Sequence, residues 1–247
     1  MDIYNNTVLI TGGSSGIGIE LAQRLLEKNN KVIICGRSAE KLEAAKKQFP
    51  QLETVQCDLS DEKECLNLAN WIKENHPRLN MLINNAALVH NIPFLETDNI
   101  LEKLKLEVDT NLLAPIRLIK HLHPVLEKNN NPTIINITTG LVYAPKADYP
   151  FYNATKAALH SFTQVLRIQL KGTNFKVIEV MFPAVKTPWH KGNPPKIAIT
   201  VEKAVNEMIK GLEKGKAEIK VAGVKVLYNL FRIAPGFALK KINSLKK

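Results

Sequence analysis

Of the five tyrosines in the chain, Tyr152 alone has a lysine four residues on, at Lys156. On a helix that spacing puts both side chains on one face. A free phenol titrates near pH ~10, too high for efficient proton exchange at neutral pH. A nearby ammonium stabilises the phenolate and lowers that value, making the tyrosine a usable acid or base. Y-x-x-x-K also arises by chance in any tyrosine-bearing helix, so position has to supply the rest. Tyr152 follows an apolar run that ends Ile137-Thr138-Thr139-Gly140, which brings two hydroxyls to its edge. Another run ends Asn84-Asn85-Ala86-Ala87, with amides beside two small residues that let a flat molecule approach the backbone. Open parallel sheets bind ligands at the carboxyl ends of their strands.

A second constellation opens the chain. Thr7–Ile10 runs directly into Thr11-Gly12-Gly13-Ser14-Ser15-Gly16-Ile17-Gly18, and a helical pattern follows. A dinucleotide's pyrophosphate needs backbone N–H groups aimed at it and no side chain at the point of closest approach. The turn from Gly12 through Ser14, Ser15, Gly16, Ile17 and Gly18 meets that need in the strand–turn–helix context it requires. The next strand ends Cys35-Gly36-Arg37-Ser38, without the acid that would accept from a ribose 2′-hydroxyl. Arg37 offers a charge-assisted fork for a 2′-phosphate instead, so NADP(H) is expected over NAD(H). The alternative is an Arg37 that points into solvent. Asp58, before Leu59 at the end of the third strand, is placed to accept from an adenine amino group.

TGGSSGIG, NNAA, Asn111, the hydroxyl pair and Y-N-A-T-K, in this order and spacing, resemble the short-chain dehydrogenase/reductase family from about Thr7 through Thr187. The resemblance implies that Tyr152 is the general acid in reduction and the base in oxidation. It gives Lys156 the nicotinamide ribose hydroxyls, and Asn111 a water that links Lys156 to solvent. Asn85, Ala86 and Ala87 would line the cofactor. Pro183, Val185 and Thr187, in a P-x-V-x-T segment, would anchor the carboxamide. The family usually carries serine 13 positions before the tyrosine, where this chain has Thr139. A threonine hydroxyl still donates to a carbonyl oxygen, but its methyl narrows the site. Thr138 is the fallback for that role. The expected activity is hydride transfer between NADP(H) and a carbonyl or alcohol substrate. A non-catalytic NADPH-binding regulator or scaffold of the same fold is the alternative.

The elements that must position these residues alternate. Thr7–Ile10, Lys31–Cys35, Thr54–Cys57, Met81–Ile83, Thr133–Ile137 and Lys176–Met181 read as short buried strands. Between them, Gly18–Lys28, Ala39–Phe49, Glu62–Asn75, Ile100–Glu127 and Tyr152–Leu170 read as helices. The alternation predicts a single α/β domain over residues 1–247: a doubly wound Rossmann fold, mainly parallel, with helices on both faces. Pro188–Thr200, with Gly192 and Pro194-Pro195, is expected to form a mobile lid. Leu88, Val89, Phe94, Tyr143, Tyr149 and Trp189 are candidate pocket residues, with His90 and His190 as candidate polar contacts.

Hydrophobic residues make up 45% of the 247 and charged residues 23%, which fits an ordinary globular chain. Cys35, Cys57 and Cys65 form no CxxC pair, so buried free thiols are expected and no metal site. With no secretory pattern at the start and no long apolar run, a cytoplasmic location is expected. The net charge of +11 is uneven: residues 191–247 hold 13 Lys/Arg against 4 Asp/Glu. Residues 224–247 are apolar, basic and free of acids, and they resemble the tail of oxidoreductases encoded with teichoic-acid D-alanylation functions. Two expectations follow for this tail. It lies peripherally on an anionic inner membrane surface, or it packs against a second subunit or forms simple surface. The family resemblance implies a homodimer or homotetramer. No nucleic-acid motif accompanies the tail's cations.

Overall fold

The β-branched runs collect into one seven-stranded sheet, and the computed structural model describes residues 2–190 and 192–245. Its strands are β1 (Thr7–Thr11), β2 (Lys31–Gly36), β3 (Glu53–Gln56), β4 (Met81–Asn84), β5 (Thr133–Thr139), β6 (Lys176–Phe182) and β7 (Glu218–Lys220). The order is β3-β2-β1-β4-β5-β6-β7 and every pairing is parallel. Order reverses between β1 and β4, and ligand crevices form at such switch points. Helices cover both faces, so the central strands are buried on two sides and read as unbroken apolar runs. Ile10, Ile34 and Ile83 pack under α1 (Gly16–Leu26), while Leu9, Ile33 and Leu82 pack under α3 (Glu62–Asn75). Ser38 caps α2 (Ala39–Gln48), and Asp61 caps α3 by accepting from Lys63 and Glu64.

Three differences from the sequence reading matter for the site. The stretch expected as one helix is α4 (Ile100–Val108), a wider π-turn over Asp109–Leu113, and α5 (Ala114–Glu127). The π-turn carries Asn111 and turns its side chain inward, where it is fully buried. The second difference is α7 (Val201–Glu213) and the edge strand β7, which extend the sheet past the last strand read from sequence. Third, the basic tail folds into two short helices, α8 (Val224–Ile233) and α9 (Pro235–Ser244), broken at Pro235 as its ring requires.

Those two helices pack back on their own chain. Val224 lies close above Gly140, where a side-chain carbon would come within 3.0 Å of it. Lys146 Nζ donates to the Leu245 carbonyl at 2.9 Å, and Asn243 exchanges hydrogen bonds with the backbone of Pro145 and Ala147. The inner face of the tail is therefore committed to the chain's own fold. Val226, Ile233 and Phe237 stay exposed on the outside. Among the described residues no helix is long and apolar enough to cross a membrane, and no His/Cys/Asp/Glu group is arranged to hold a metal. The three cysteines are buried and free.

Candidate active site

β1 delivers the glycine turn. Gly12 sits at φ +63°, and a Cβ there would meet the Ala86 backbone at 2.9 Å. Gly18, in the first turn of α1, is pressed so close that a Cβ would lie 2.3 Å from the Gly12 carbonyl oxygen. Asn85 ties this turn to the end of β4. Its side-chain amide donates to the carbonyls of Thr11 (2.9 Å) and Gly12 (3.2 Å), and its backbone N–H donates to the Thr11 hydroxyl (2.9 Å). The result is a cleft of about 360 Å³ walled largely by backbone and small side chains. Gly12, Ser14, Ser15, Gly16, Ile17, Gly18, Arg37, Asp58, Leu59, Asn85, Ala86, Ala87, Tyr152 and Thr187 all line it. Sequence reasoning missed Ser38 and Lys41, which join Arg37 at the same end. Lys41 lies in the first turn of α2, and its backbone N–H donates to the N-cap Ser38. Asp58 accepts from its own turn through Ser60 N and Oγ (2.9 and 2.7 Å). These features fit a dinucleotide: close backbone, a helix N-terminus for phosphate, and two cations at one end.

A second cavity of about 460 Å³ opens on the other side of Tyr152. Thr139, Lys156, Pro183 and Val185 line it, and Tyr152, Asn85, Ala87, Ile17, Thr187 and Trp189 belong to both hollows. Its body is apolar: Phe182, Ile197 and Ile199, then Val224, Leu227, Ile242 and Leu245 from the folded-back tail. Pro188–Thr200 provides Trp189, His190, Pro195, Ile197 and Ile199 to the wall, and the backbone of Ile199 bonds Ala184 and Lys186 (3.0 and 2.9 Å). Lys191 of that segment lies outside the described residues.

The strand alternation separates the two threonines. Thr139 stands with Tyr152 in the wall of this cavity and accepts from the Leu141 N–H at 3.3 Å. Thr138 points the other way and gives its hydroxyl to the buried carboxylate of Glu179 at 2.5 Å. Thr138, the fallback for the donor role, therefore has its hydroxyl engaged by Glu179, although it too lines the cavity. Asn111 lines neither hollow. It clamps Leu88 from both sides, accepting from Leu88 N and donating to Leu88 O, each at 2.7 Å, and its amide reaches Thr155 Oγ1 at 3.2 Å. Pro115, four residues on, has no N–H to offer the Asn111 carbonyl.

Electrostatics within the protein's own groups run against the simplest expectation. Burial pushes the Tyr152 phenol up to about 12, with the Thr139 hydrogen bond opposing and the charges of Glu107 and Tyr149 adding to the rise. Burial pulls the Lys156 ammonium down to about 8, against the pull of the Glu179 carboxylate. Lys156 Nζ donates to the Ile137 carbonyl at 2.8 Å. Desolvation outweighs mutual stabilisation here, because Lys156 is fully buried, Tyr152 is half-buried, and the ammonium is occupied by a backbone oxygen.

Several candidate pocket residues serve elsewhere. Phe94 stacks edge-on against Phe151 outside both hollows, and Tyr143 donates to Met181 Sδ and packs on Tyr228. His90 gives its backbone N–H and its ring Nδ1 to the buried Glu107, at 2.7 and 2.8 Å. Leu88 and Val89 line the cofactor-shaped cleft, while Tyr149, Trp189 and His190 line the apolar cavity.

Comparison with known proteins agrees with this geometry. The short chain dehydrogenase family model matches residues 6–197. The oxidoreductase DltE of Bacillus subtilis is 44% identical over 224 residues, 89% of each chain. A short chain dehydrogenase from Burkholderia cenocepacia, solved with NADP, superposes with a TM-score of 0.86 at 24% identity, covering 98% of this chain and 99% of that one. A family member from Burkholderia phymatum, solved with NAD, superposes at 0.82 with 15% identity, covering 100% and 99%. Proteins of this fold have thus been solved with either nucleotide. The chain belongs to the short-chain dehydrogenase/reductase family of oxidoreductases.

Proposed function

We propose that this chain is an NADP(H)-dependent oxidoreductase that interconverts carbonyl and alcohol groups on an apolar small molecule. The observation that carries the reading is the position of Tyr152, on the wall shared by a backbone-lined cleft and an apolar cavity. Thr139 and Lys156 stand beside it. A nicotinamide, when bound, supplies or accepts the hydride.

The protein's own groups supply position and the proton. The turn from Gly12 to Gly18 holds the pyrophosphate on backbone N–H groups at the start of α1. Arg37 and Lys41 hold the 2′-phosphate, and Asp58 accepts from the adenine. Pro183, Val185 and Thr187 present the carboxamide end to the cavity. Thr139 donates to the substrate oxygen and fixes its distance from the Tyr152 hydroxyl. Tyr152 gives its proton to that oxygen in reduction and takes it back in oxidation. A phenol raised to about 12 by burial is a donor that holds its proton until the oxygen develops charge. Lys156 turns from the Ile137 carbonyl to the ribose hydroxyls, and its ammonium then lowers the phenol. Asn111 holds a water that returns the proton to Lys156.

The apolar body of the cavity supports a substrate whose carbonyl sits at Tyr152 and whose hydrocarbon part lies along Phe182, Ile199, Leu227 and Leu245. A binding-only role would leave the convergence of Tyr152, Thr139 and Lys156 without use. Cytoplasmic placement and assembly as a homo-oligomer belong to the same proposal, and α6 (Pro150–Gln169) offers exposed Val165 and Ile168 for the latter. Titration of the purified chain with NADPH and with NADH tests the cofactor. Tighter NADPH binding is expected. The reverse preference overturns the role of Arg37 and Lys41, and binding of neither overturns the function.

A further inference from the structure

We propose that Glu179 is a positioning residue for the reaction centre: its buried carboxylate, held by Thr138 and His160, supplies the counter-charge that keeps Lys156 an ammonium. Glu179 lies within β6 in an otherwise apolar strand and is fully buried. A carboxylate left alone there would take up a proton, and hydrogen bonds to its charged form prevent that. Thr138 Oγ1 donates to one oxygen at 2.5 Å, and His160 Nδ1 lies 2.9 and 2.8 Å from the two oxygens.

Both partners stand one step from Lys156. His160 follows it by one helical turn, on the same face of α6. The Ile137 carbonyl that accepts from Lys156 Nζ belongs to the peptide joining Ile137 to Thr138. The ammonium and the carboxylate therefore hold neighbouring groups of one strand, the first through its backbone and the second through a side chain. Other charged or titratable groups face the same seam. From α6 comes Arg167, from β7 come Glu218 and Lys220, and from the segment after β5 comes Tyr143. Arg167 and Lys220 share the one carboxylate of Glu218, at 3.4 and 2.7 Å, and both are more exposed than Lys156. Lys156 is the buried cation that Glu179 still serves, and the pull of that carboxylate opposes the loss of its proton.

The His160 ring is itself held from its far side. Its Nε2 lies 3.2 Å from Gln164 Nε2, which suits a ring that donates from Nδ1 to Glu179 and accepts at Nε2. The consequence for turnover rests on the oxidoreductase reading above, whereas the charge relationship does not. The test separates the two.

The full chain, labelled with heavy nitrogen at lysine, is titrated by NMR, with the Lys156 signal assigned by its loss in Lys156→Met. In Glu179→Gln the Lys156 midpoint falls by about one pH unit, the effect of removing one charge across a partly polar interior. Glu179→Asp keeps the charge and leaves the midpoint in place. His160→Gln, which keeps a donor beside the carboxylate, also leaves it in place. In parallel, NADPH affinity at slightly alkaline pH falls about tenfold in Glu179→Gln, following the lost ammonium. An unmoved midpoint in Glu179→Gln overturns the proposal and reduces Glu179 to packing. If that variant does not fold, the neutral amide pair Glu179→Gln with His160→Gln takes its place, with the same outcomes. A wild-type chain that fails to bind NADPH at all, yet shows the midpoint shift, contradicts the function and leaves the charge relationship standing.

Discussion

The two hollows that meet at Tyr152 are made of different material. The cleft beside the glycine turn is walled mostly by the first 90 residues, with glycines and alanines where β1 and β4 end, and is closed by Thr110, Tyr152, Thr187, Pro188 and Trp189. The apolar cavity is walled by side chains drawn from β5, β6, the segment after β6, and two helices at the far end of the chain. A surface made of backbone tolerates one ligand shape and no added atoms. A surface made of side chains from distant segments is tuned by exchanging them. The first suits a fixed cofactor and the second a substrate that varies among relatives.

The sharpest way to break the contrast is to put a side chain where the first wall has none. Gly18→Val drives a Cβ against the Gly12 carbonyl, 2.3 Å away in the present backbone, and the turn must open. NADPH affinity by calorimetry is expected to fall more than ~100-fold, with a loss of about 1–3 kcal/mol in stability from overpacking. Next in size is Arg37→Ser. Removing a charge-assisted bond costs about 1.5–3 kcal/mol, so NADPH affinity falls roughly 10- to 150-fold while NADH affinity stays level. An equal loss for both nucleotides would place Arg37 outside the 2′-phosphate site.

The side-chain wall should respond by degrees. Each methylene buried contributes about 0.8 kcal/mol, so kcat/KM along a series of straight-chain aldehydes is expected to rise about fourfold per carbon until the cavity fills. Leu227→Asp should flatten that rise and leave NADPH affinity unchanged. A flat series in the wild type would show that the apolar cavity is not the substrate site.

The smallest effect concerns stability. Lys156 is depressed to about 8 by burial, so between that pH and about 10.5 the unfolded chain binds more protons than the folded one. The cofactor-free protein therefore gains stability as pH rises through that window, and the gain is absent below it. Lys156→Met removes the penalty. Its Tm at neutral pH is expected to rise by about 2–4 °C for each kcal/mol released, while turnover is lost. An unchanged Tm would show that the Ile137 carbonyl already compensates the buried charge.

The same contrast explains what could be read from the sequence. The cofactor wall was legible because backbone approach demands glycine at fixed places, and the strand–turn–helix context confirmed Gly12 to Gly18. Tyr152, Lys156 and Thr139 were legible through helical spacing and strand ends. The apolar cavity was not, since Leu227, Ile242 and Leu245 show only an apolar, basic tail, and a pattern names no partner. Pairing across the fold decided that the tail's inner face closes on Gly140 and Lys146. The seventh strand and α7 went unread for a different reason: Thr200 caps a clear amphipathic helix, but nothing chemical drew attention to it. Glu179 left a signal too. It is an acid inside the apolar run Val177–Phe182, matched by a histidine four residues after Lys156. The break at Asn111 left little, because a π-turn differs from an α-turn by one residue and keeps the same apolar face.

The most direct test of the central claim is NADPH consumption with decanal by the wild-type chain and by Tyr152→Phe, measured beside NADPH affinity for both. The account predicts turnover in the wild type, a loss of about 100- to 10,000-fold in Tyr152→Phe, and nearly equal affinities. Turnover that survives the loss of the phenol hydroxyl would contradict the assignment of Tyr152 as proton donor, and with it the mechanism built around the meeting point of the two hollows.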